Sequence, residues 1–262
     1  MKIQLTLTPT EGKRLIGKAV ASMENVKFAY ENGTVIIATS TTTGYVAEEL
    51  TGKKIPNKGM FTAGVITKDG CGITVVEGRY NHQVYVAGEL TECNTPQLVP
   101  YIAKMGPDDV FIKGANALDP FGQAGILMHG GGGGTIGTVW GHITRNGIQC
   151  IIPAGLEKLV PINLADAAMN MGSNVIDKAM GWPCGMMVIH AQVVTEMEAF
   201  RQLFGVNAMP VAGGGIEGGM GCKVFLIDGP GENAEAAYEY VLEIKGEPEL
   251  KTKLMKKPDT LA

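Results

Sequence analysis

Apolar and polar positions along this chain follow two different periodicities, which predict helices and strands in alternation. Apolar residues recur at helical spacing from Thr10 to Ala29, where Thr8 or Thr10 is placed to cap a helix. The β-branched run from Thr34 to Ala38 predicts a buried strand, and the next helix begins within Tyr45 to Leu50. Strands that alternate with helices indicate a parallel sheet with crossover connections.

The same reasoning extends over the middle of the chain and predicts one α/β core over residues 1–183. The predicted elements are a pair of short strands or a hairpin within Phe61 to Val76, strands at Gln83 to Val86, Asp109 to Ile112 and Gln149 to Pro153, and a helix at Thr135 to Thr144. We expect a Rossmann-like parallel sheet that is flanked by helices.

The pattern changes after the segment Gly181 to Gly185, which is rich in Gly, Trp, Pro and Cys. The elements predicted beyond it are a strand at Met186 to Val194, a helix at Glu196 to Phe204, a hairpin formed by Val206 to Val211 and Lys223 to Ile227, and a helix at Asn233 to Ile244. This β-α-β-β-α order is typical of a ferredoxin-like α+β module, predicted over residues 184–250. Residues 251–262 form a basic tail, with Lys257 and Pro258 near its end, for which we expect a solvated terminus.

The composition and net charge of the chain argue against several kinds of partner and location. A net charge of −4 over 262 residues, without a basic stripe, argues against nucleic acid as a partner. No stretch is apolar enough for a membrane span or a secretory signal, so we predict a cytoplasmic protein. The five cysteines are scattered without metal-ligand spacing, which fits a reducing compartment and predicts neither a metal site nor a cofactor.

Five consecutive glycines, from Gly130 to Gly134, lie between His129 and Thr135. Glycine loses more conformational entropy on folding than any other residue, so such a run is costly unless bare backbone is needed there. Either the run is a tight or flexible strand-to-helix turn, or its amide groups approach a ligand and bind an anion.

Two further polar loops follow predicted strands. Thr39, Ser40, Thr41 and Thr42 stand between a strand and a helix, where hydroxyls and backbone amides either cap the helix or bind phosphate or carboxylate. The segment from Lys113 to Asp119, which includes Asn116, follows the next buried strand. Ligands of open α/β sheets bind outside the carboxyl ends of the strands, so we expect these loops and the glycine run to form one pocket.

Together the three loops resemble the superfamily that holds ribose-5-phosphate isomerase type A, glucosamine-6-phosphate deaminase, coenzyme A transferases and the sugar-phosphate sensor domains of DeoR-type repressors. Val35 to Thr42 is similar to the isomerase's strand and phosphate-binding G-x-G-S-T loop. Lys113 to Asp119 stands in place of its D-G-A-D-E-V-D, and His129 to Val139 in place of its K-G-G-G-G-A-L-L-R-E-K. Its D-E-S-K-L-V corresponds to the segment that ends in Leu156 to Val160.

The chain departs from the isomerase at its catalytic positions. Lys113 and Asn116 replace two carboxylates of D-G-A-D, and Thr138 replaces the catalytic glutamate of R-E-K. Aldose–ketose isomerisation needs a base that moves a proton between adjacent carbons, and threonine is not such a base at neutral pH. The resemblance therefore implies the scaffold and the anion loop without the ribose isomerase mechanism.

Two hypotheses follow for function. In the first, Thr39 to Thr42 bind the anionic end of a small phosphorylated or carboxylated metabolite, of the sugar-phosphate or acyl-coenzyme A class. Lys113, Asn116, Asp119 and His129 then face the reacting end, and the amides of Gly130 to Gly134 stabilise negative charge. Lys113 is either a charge clamp or a Schiff-base amine, and His129 is either an acid–base group or a structural residue. In the second, the protein is a non-catalytic metabolite sensor. Self-association as a homo-oligomer is expected in both.

Overall fold

The computed structural model describes residues 1–256, which form a mixed α/β structure around a six-stranded sheet. The strands are β1 Lys2–Leu7, β2 Thr34–Ile37, β3 Gly64–Thr67, β4 Gly70–Ile73, β5 His82–Val86, β6 Glu89–Cys93, β7 Val110–Ile112, β8 Ala117–Leu118, β9 Ala124–Met128, β10 Gln149–Pro153, β11 Gly185–Ile189, β12 Gln192–Val194, β13 Asn207–Gly214 and β14 Cys222–Asp228. The helices are α1 Pro9–Ser22, α2 Glu24–Asn32, α3 Thr43–Thr51, α4 Val99–Ile102, α5 Gly134–Asn146, α6 Leu164–Met169, α7 Glu196–Phe204 and α8 Gly231–Glu243.

The central sheet has the strand order β12-β10-β7-β2-β5-β6. Its first four strands are parallel, and β5 and β6 extend it as antiparallel strands. Successive residues of the inner strands alternate between two apolar cores, as Val35 and Ile36 do on β2. Helices cover both faces, so the β-branched runs are buried on both sides. The mixed α/β class and the flanking helices agree with the sequence analysis.

The predicted helix from Thr10 to Ala29 is two helices in the structure. Thr8 caps α1: its hydroxyl accepts from the Glu11 amide, and the Glu11 carboxylate accepts from the Thr8 amide in return. The break lies at Met23, which has an extended backbone with ψ of 135°. Ser22 precedes it and donates its hydroxyl to the Ala19 carbonyl, a local bond that competes with helical pairing.

A second, three-stranded sheet has the order β1-β14-β13 and packs with α7 and α8. The continuous strand expected from Met186 to Val194 is instead two strands in two other sheets. β11 pairs with β9, and β12 extends the central sheet beside β10. The place beside the hairpin is taken by β1, which pairs antiparallel with β14 from Lys2 to Leu7 and was missed by the sequence analysis. The predicted division of the chain near residue 183 stays a prediction.

The segment 251–255 lies along the β3–β4 hairpin. The Val75 amide donates to the Lys253 carbonyl at 2.9 Å, and the Met255 amide donates to the Ile73 carbonyl at 2.8 Å. The backbone at Lys251 touches Gly59, where a side chain would collide with it. The backbone of this segment is thus hydrogen-bonded to the hairpin, while Lys251, Lys253 and Lys256 are exposed to solvent. The basic tail stays a prediction, and Lys257 and Pro258 lie outside the described residues. Across residues 1–256, no helix combines the length and the apolar character that crossing a bilayer requires.

Candidate functional site

A cavity of about 830 Å³ lies at the carboxyl ends of β2, β7 and β10. A cavity of this size accommodates a small metabolite or part of a larger cofactor-like molecule. Three strand-end loops, the glycine run and the β3–β4 hairpin contribute to its wall. The polar and charged side chains of the wall are those of Thr10, Lys13, Thr39, Ser40, Thr41, Thr67, Arg79, Thr95, Lys113, Asn116, His129, Thr135, Glu157, Lys158 and Thr252.

The threonine loop after β2 enters the wall through Thr39, Ser40 and Thr41, whereas Thr42 is fully buried outside it. The Ser40 hydroxyl oxygen accepts from the amides of Thr42 and Thr43 at 3.3 and 3.1 Å, so Ser40 caps the first turn of α3. This capping occupies two of the amides that the sequence analysis assigned to an anion. The loop therefore offers a ligand mainly its hydroxyl groups.

The loop after β7 places Lys113 and Asn116 in the same wall. The Lys113 amide donates to the Ile151 carbonyl at 3.1 Å, which extends the pairing of β7 with β10 and fixes the start of the side chain. Gly114 passes so close to Ser40 that a Cβ would lie 2.6 Å from the Ser40 Cβ. The Asn116 Oδ1 accepts from the Leu127 amide at 3.0 Å, which fixes the orientation of this side chain.

The glycine run forms a tight turn into α5, with positive φ angles at Gly132, Gly133 and Gly134. Gly130, Gly133 and Gly134 line the cavity, and Gly131 and Gly132 do not. Behind the turn, a Cβ on Gly137 would collide with the Gly132 carbonyl, so the turn packs on bare helix backbone. The run is thus both a strand-to-helix turn and part of the cavity wall.

His82, which the sequence analysis did not single out, connects the threonine loop with the glycine run. Its Nδ1 accepts from the Thr39 amide at 3.0 Å, so the ring proton is on Nε2. Nε2 lies 3.1 Å from the Thr95 hydroxyl and 3.3 Å from that of Thr135, the residue after the glycines. Burial, with the nearby charges of Lys113 and Arg79, lowers the pKa of His82 to about 3. The neutral ring is therefore a structural link at physiological pH.

His129 stands at the edge of the cavity with a fixed tautomer. Its Nδ1 lies 2.8 Å from the Pro183 carbonyl, which can only accept, so Nδ1 carries a proton and the lone pair of the neutral ring is on Nε2. The ring also packs against Trp182, with centroids 4.6 Å apart. Such an imidazole can accept a proton from a bound molecule or hydrogen-bond to it.

A cluster of charged groups completes the wall beyond β10. The Lys13 ammonium on α1 contacts Glu157 Oε1 at 2.6 Å, and the Lys158 ammonium donates to the Ala115 carbonyl at 2.8 Å. The other oxygen of Glu157, Oε2, is buried and has no hydrogen-bond partner. Glu196, at the start of α7, lies beneath it and accepts from the Leu156 amide at 2.9 Å. A buried oxygen without a partner is unusual in folded proteins and often marks a site where something else binds.

The charged groups of this cluster differ strongly in proton affinity. Burial and, after it, the adjacent charge of Glu157 raise the pKa of Glu196 to about 7. Burial also opposes ionisation of Glu157, but the ammonium groups of Lys13 and Lys158 outweigh it and lower its pKa. Burial lowers the pKa of Lys158 and of Lys113 to about 8 in each case. The cluster thus holds groups that exchange protons within about one pH unit of neutrality.

Asp119, predicted as a catalytic residue, is not among the residues that line the cavity. Its Oδ1 accepts from the amides of Phe121 and Gln123, both at 2.9 Å, and its Oδ2 accepts from the Leu164 amide at 3.2 Å. These bonds hold the turn between β8 and β9 in place. Within residues 1–256, no group of three His, Cys, Asp or Glu residues is arranged to hold a metal ion.

The sequence analysis overlooked Lys13, Arg79, Glu157, Lys158 and Glu196. Glu157 and Lys158 carry a usable signal, since they follow a predicted strand in the same way as Lys113 does. Lys13 and Arg79 carry none, because α1 and the β4–β5 connection reach the cavity only through tertiary packing. We find that no protein-family model, no curated protein and no solved structure matches this chain.

Proposed function

We propose that the cavity binds a small phosphorylated or carboxylated metabolite, of the sugar-phosphate or acyl-coenzyme A class, and transforms it. The observation that carries the proposal is the charge of the wall. Lys13, Arg79, Lys113 and Lys158 line the cavity, and among the described residues Glu157 is the single carboxylate of the wall. Cationic groups that are withdrawn from bulk water attract an anion more strongly than exposed ones, because screening there is weaker.

In this proposal the polar groups of the wall have two roles. Lys158 and the hydroxyls of Thr39 and Thr41 bind the anionic end of the ligand, while Lys113, Asn116 and His129 face its reacting end. The Ser40 hydroxyl is occupied by the Thr42 and Thr43 amides and by the Thr43 hydroxyl. The glycine turn stabilises negative charge that develops during the reaction. Asp119 is left out because its carboxylate is already occupied by three backbone amides.

We further propose that the chain is a divergent member of the ribose-5-phosphate isomerase, glucosamine-6-phosphate deaminase and coenzyme A transferase superfamily. Four parallel strands with helices on both faces support a Rossmann-like core. The sheet β1-β14-β13 with α7 and α8 supports a ferredoxin-like unit whose first strand comes from the amino-terminal end. A homo-oligomer and a cytoplasmic location stay predictions, and light scattering on the purified protein tests the first.

The second candidate function is a sensor that binds a metabolite without transforming it. The residue that favours this function is Thr138. The residue stands where the isomerase has its catalytic glutamate, and its hydroxyl donates to the Gly134 carbonyl at 2.9 Å within α5. A carboxylate is nevertheless present in the cavity wall, at Glu157, whereas Thr138 is not among the lining residues. A carboxylate with one oxygen free of hydrogen bonds can move a proton, so the enzyme remains the preferred proposal.

Isothermal titration calorimetry with inorganic phosphate tests the anion site. A hydrogen bond to a charged group contributes about 1.5–3 kcal/mol, so we expect Lys158→Met to weaken phosphate binding by about tenfold or more. The matched control is Lys104→Met, because Lys104 is exposed and outside the cavity wall. Equal phosphate affinity in all three proteins, or no binding to the wild type, would contradict the proposal.

Turnover is then tested by proton NMR on ribose 5-phosphate, other sugar phosphates, phosphorylated acids and acyl-coenzyme A esters. A new product, or exchange of a carbon-bound proton with solvent deuterium, identifies an enzyme. Tight binding of one class without any change in its spectrum favours the sensor.

A further inference from the structure

Lys113 differs from the other cations of the cavity wall because, among the described residues, its ammonium group has neither a hydrogen-bond partner nor an ion-pair partner. Lys13 is paired with Glu157, Lys158 donates to a backbone carbonyl, and the Arg79 guanidinium donates to the Thr74 carbonyl at 3.2 Å. Within residues 1–256, the Lys113 ammonium forms neither an ion pair nor a hydrogen bond. A lysine in this state is either neutralised by a bound anion or functions as a free amine.

The surroundings of Lys113 favour the amine. Burial lowers its pKa to about 8, and the nearby Cys150 offsets this only in part. With this pKa, roughly a tenth of the Lys113 side chains are uncharged at pH 7 and about half at pH 8, and the uncharged form has the nucleophilic lone pair. The backbone of Lys113 is fixed at the end of β7, so the amine projects from a rigid element rather than from a mobile loop.

Two other groups of the wall fit a reaction at a carbonyl carbon. His129 presents a lone pair on Nε2, and it can accept and return a proton as an addition intermediate loses water. Lys158 and the threonine loop stand in the same wall as Lys113. In the proposal, these groups bind the anionic part of the same molecule.

We propose that Lys113 is an amine nucleophile that forms an imine with an aldehyde or ketone carrying a phosphate or carboxylate. The inference rests on the proposed function, since the anion site brings the carbonyl carbon to the lysine. The Nζ lone pair forms the C–N bond, and the carbonyl oxygen leaves as water with both amine hydrogens. Hydrolysis reverses the step and releases the free amine, so no oxidant or reductant takes part.

Reductive trapping on the full-length protein tests the inference. Dihydroxyacetone phosphate and pyruvate serve as the phosphate and carboxylate probes, and dihydroxyacetone is the neutral counterpart of the first. Sodium cyanoborohydride adds hydride to an imine carbon and converts the adduct into a stable secondary amine. We expect peptide mass spectrometry to locate an adduct of at least one anionic probe at Lys113, at least tenfold above that at any other lysine and above that with dihydroxyacetone.

The control variant is Lys113→Arg, which keeps a positive charge but has no nucleophilic amine at accessible pH. It is expected to give no adduct at position 113, while calorimetry with inorganic phosphate shows that the variant is folded. Trapping by the wild type is expected to increase as the pH rises through about 8, and excess inorganic phosphate is expected to suppress it.

The outcomes separate this inference from the proposed function. Phosphate binding without an adduct at Lys113 from either anionic probe overturns the inference and leaves the anion site in place. Labelling that is spread over the exposed lysines also overturns it. Selective labelling of Lys113 by all three probes, unaffected by phosphate, supports the amine but contradicts the anion site and with it the proposed function.

Discussion

The substitution Glu196→Gln measures how the ionisation of a buried carboxyl group changes the free energy of unfolding. Glu196 is only 3% exposed, and its Oε2 accepts from the Leu156 amide. Glutamine has nearly the same shape and can accept the same hydrogen bond. It cannot ionise, so the variant removes the titration and retains the packing. The comparison therefore reports what the charge of Glu196 does to the free energy of unfolding.

The magnitude follows from the pKa of Glu196, which burial and the charge of Glu157 raise from 4.5 to about 7. Each pKa unit corresponds to 1.36 kcal/mol, so the rise corresponds to about 3 kcal/mol. Between pH 4.5 and 7 the folded protein holds a proton that the unfolded chain has lost. Stability from Glu196 is therefore full below pH 4.5 and is lost progressively as the pH rises through 7.

Urea denaturation of both proteins at several values between pH 4.5 and 8 measures the effect. The difference in unfolding free energy, wild type minus variant, is expected to fall by about 3 kcal/mol over this range. The subtraction is needed because His82, whose pKa is lowered to about 3, changes stability in the opposite direction over part of the same range. His82 is present in both proteins, so its contribution cancels.

The companion variant Glu157→Gln tests the assigned cause. Without the charge of Glu157, the pKa of Glu196 is expected to be lower, so the loss of stability should occur at lower pH. A wild-type minus Glu196→Gln difference that is constant from pH 4.5 to 8 would refute the reasoning. It would mean that Glu196 is ionised in the folded protein throughout.

Three further predictions concern the same region. Gly155→Ala is expected to destabilise the protein by about 2 kcal/mol or more in urea denaturation, because its Cβ would collide with Glu157 Oε2 and lie 2.8 Å from Glu196 Oε1; a change under about 0.5 kcal/mol would contradict these contacts. Phosphate affinity in calorimetry is expected to fall between pH 7 and 9, as the two cavity lysines with a pKa of about 8 lose their charge, and constant affinity would argue against their role. Gly59→Ala places a Cβ against the Lys251 backbone, so trypsin is expected to cut after Lys251 faster than in the wild type; an unchanged rate would show that the segment stays docked.

The elements of the central sheet could be predicted from the sequence because each is specified locally. The β-branched run at β2 and the apolar runs at β7 and β10 each stand between turn-forming residues, and all three strands form at those places. The partner of a strand is not a local property. The apolar stretch from Met186 to Val194 therefore gave no indication that its halves join different sheets, and β1 was missed because its polar and apolar residues alternate over only six positions.

The same difference between local and long-range information decides which residues of the candidate site could be predicted. Ser40 and Lys113 directly follow parallel strands, and the carboxyl ends of parallel strands lie at the same edge of a sheet. Their place in the sequence was therefore enough to predict that both line the cavity. Lys13 lies on a helix that reaches the cavity by packing across the sheet, and its partner Glu157 is 144 positions away. Asp119 shows the reverse error: its place in the sequence fits a site, but its turn uses the carboxylate to bind backbone amides.

The pairing of β1 with β14 has a consequence for how this protein is made. The two strands are separated by more than 200 residues, and β14 is the central strand of its sheet. During synthesis, β1 leaves the ribosome before β14 and has no partner until β14 follows. An unpaired strand edge can form wrong pairings in the meantime. The nascent chain is therefore expected to depend on chaperone protection of β1 until β14 has emerged.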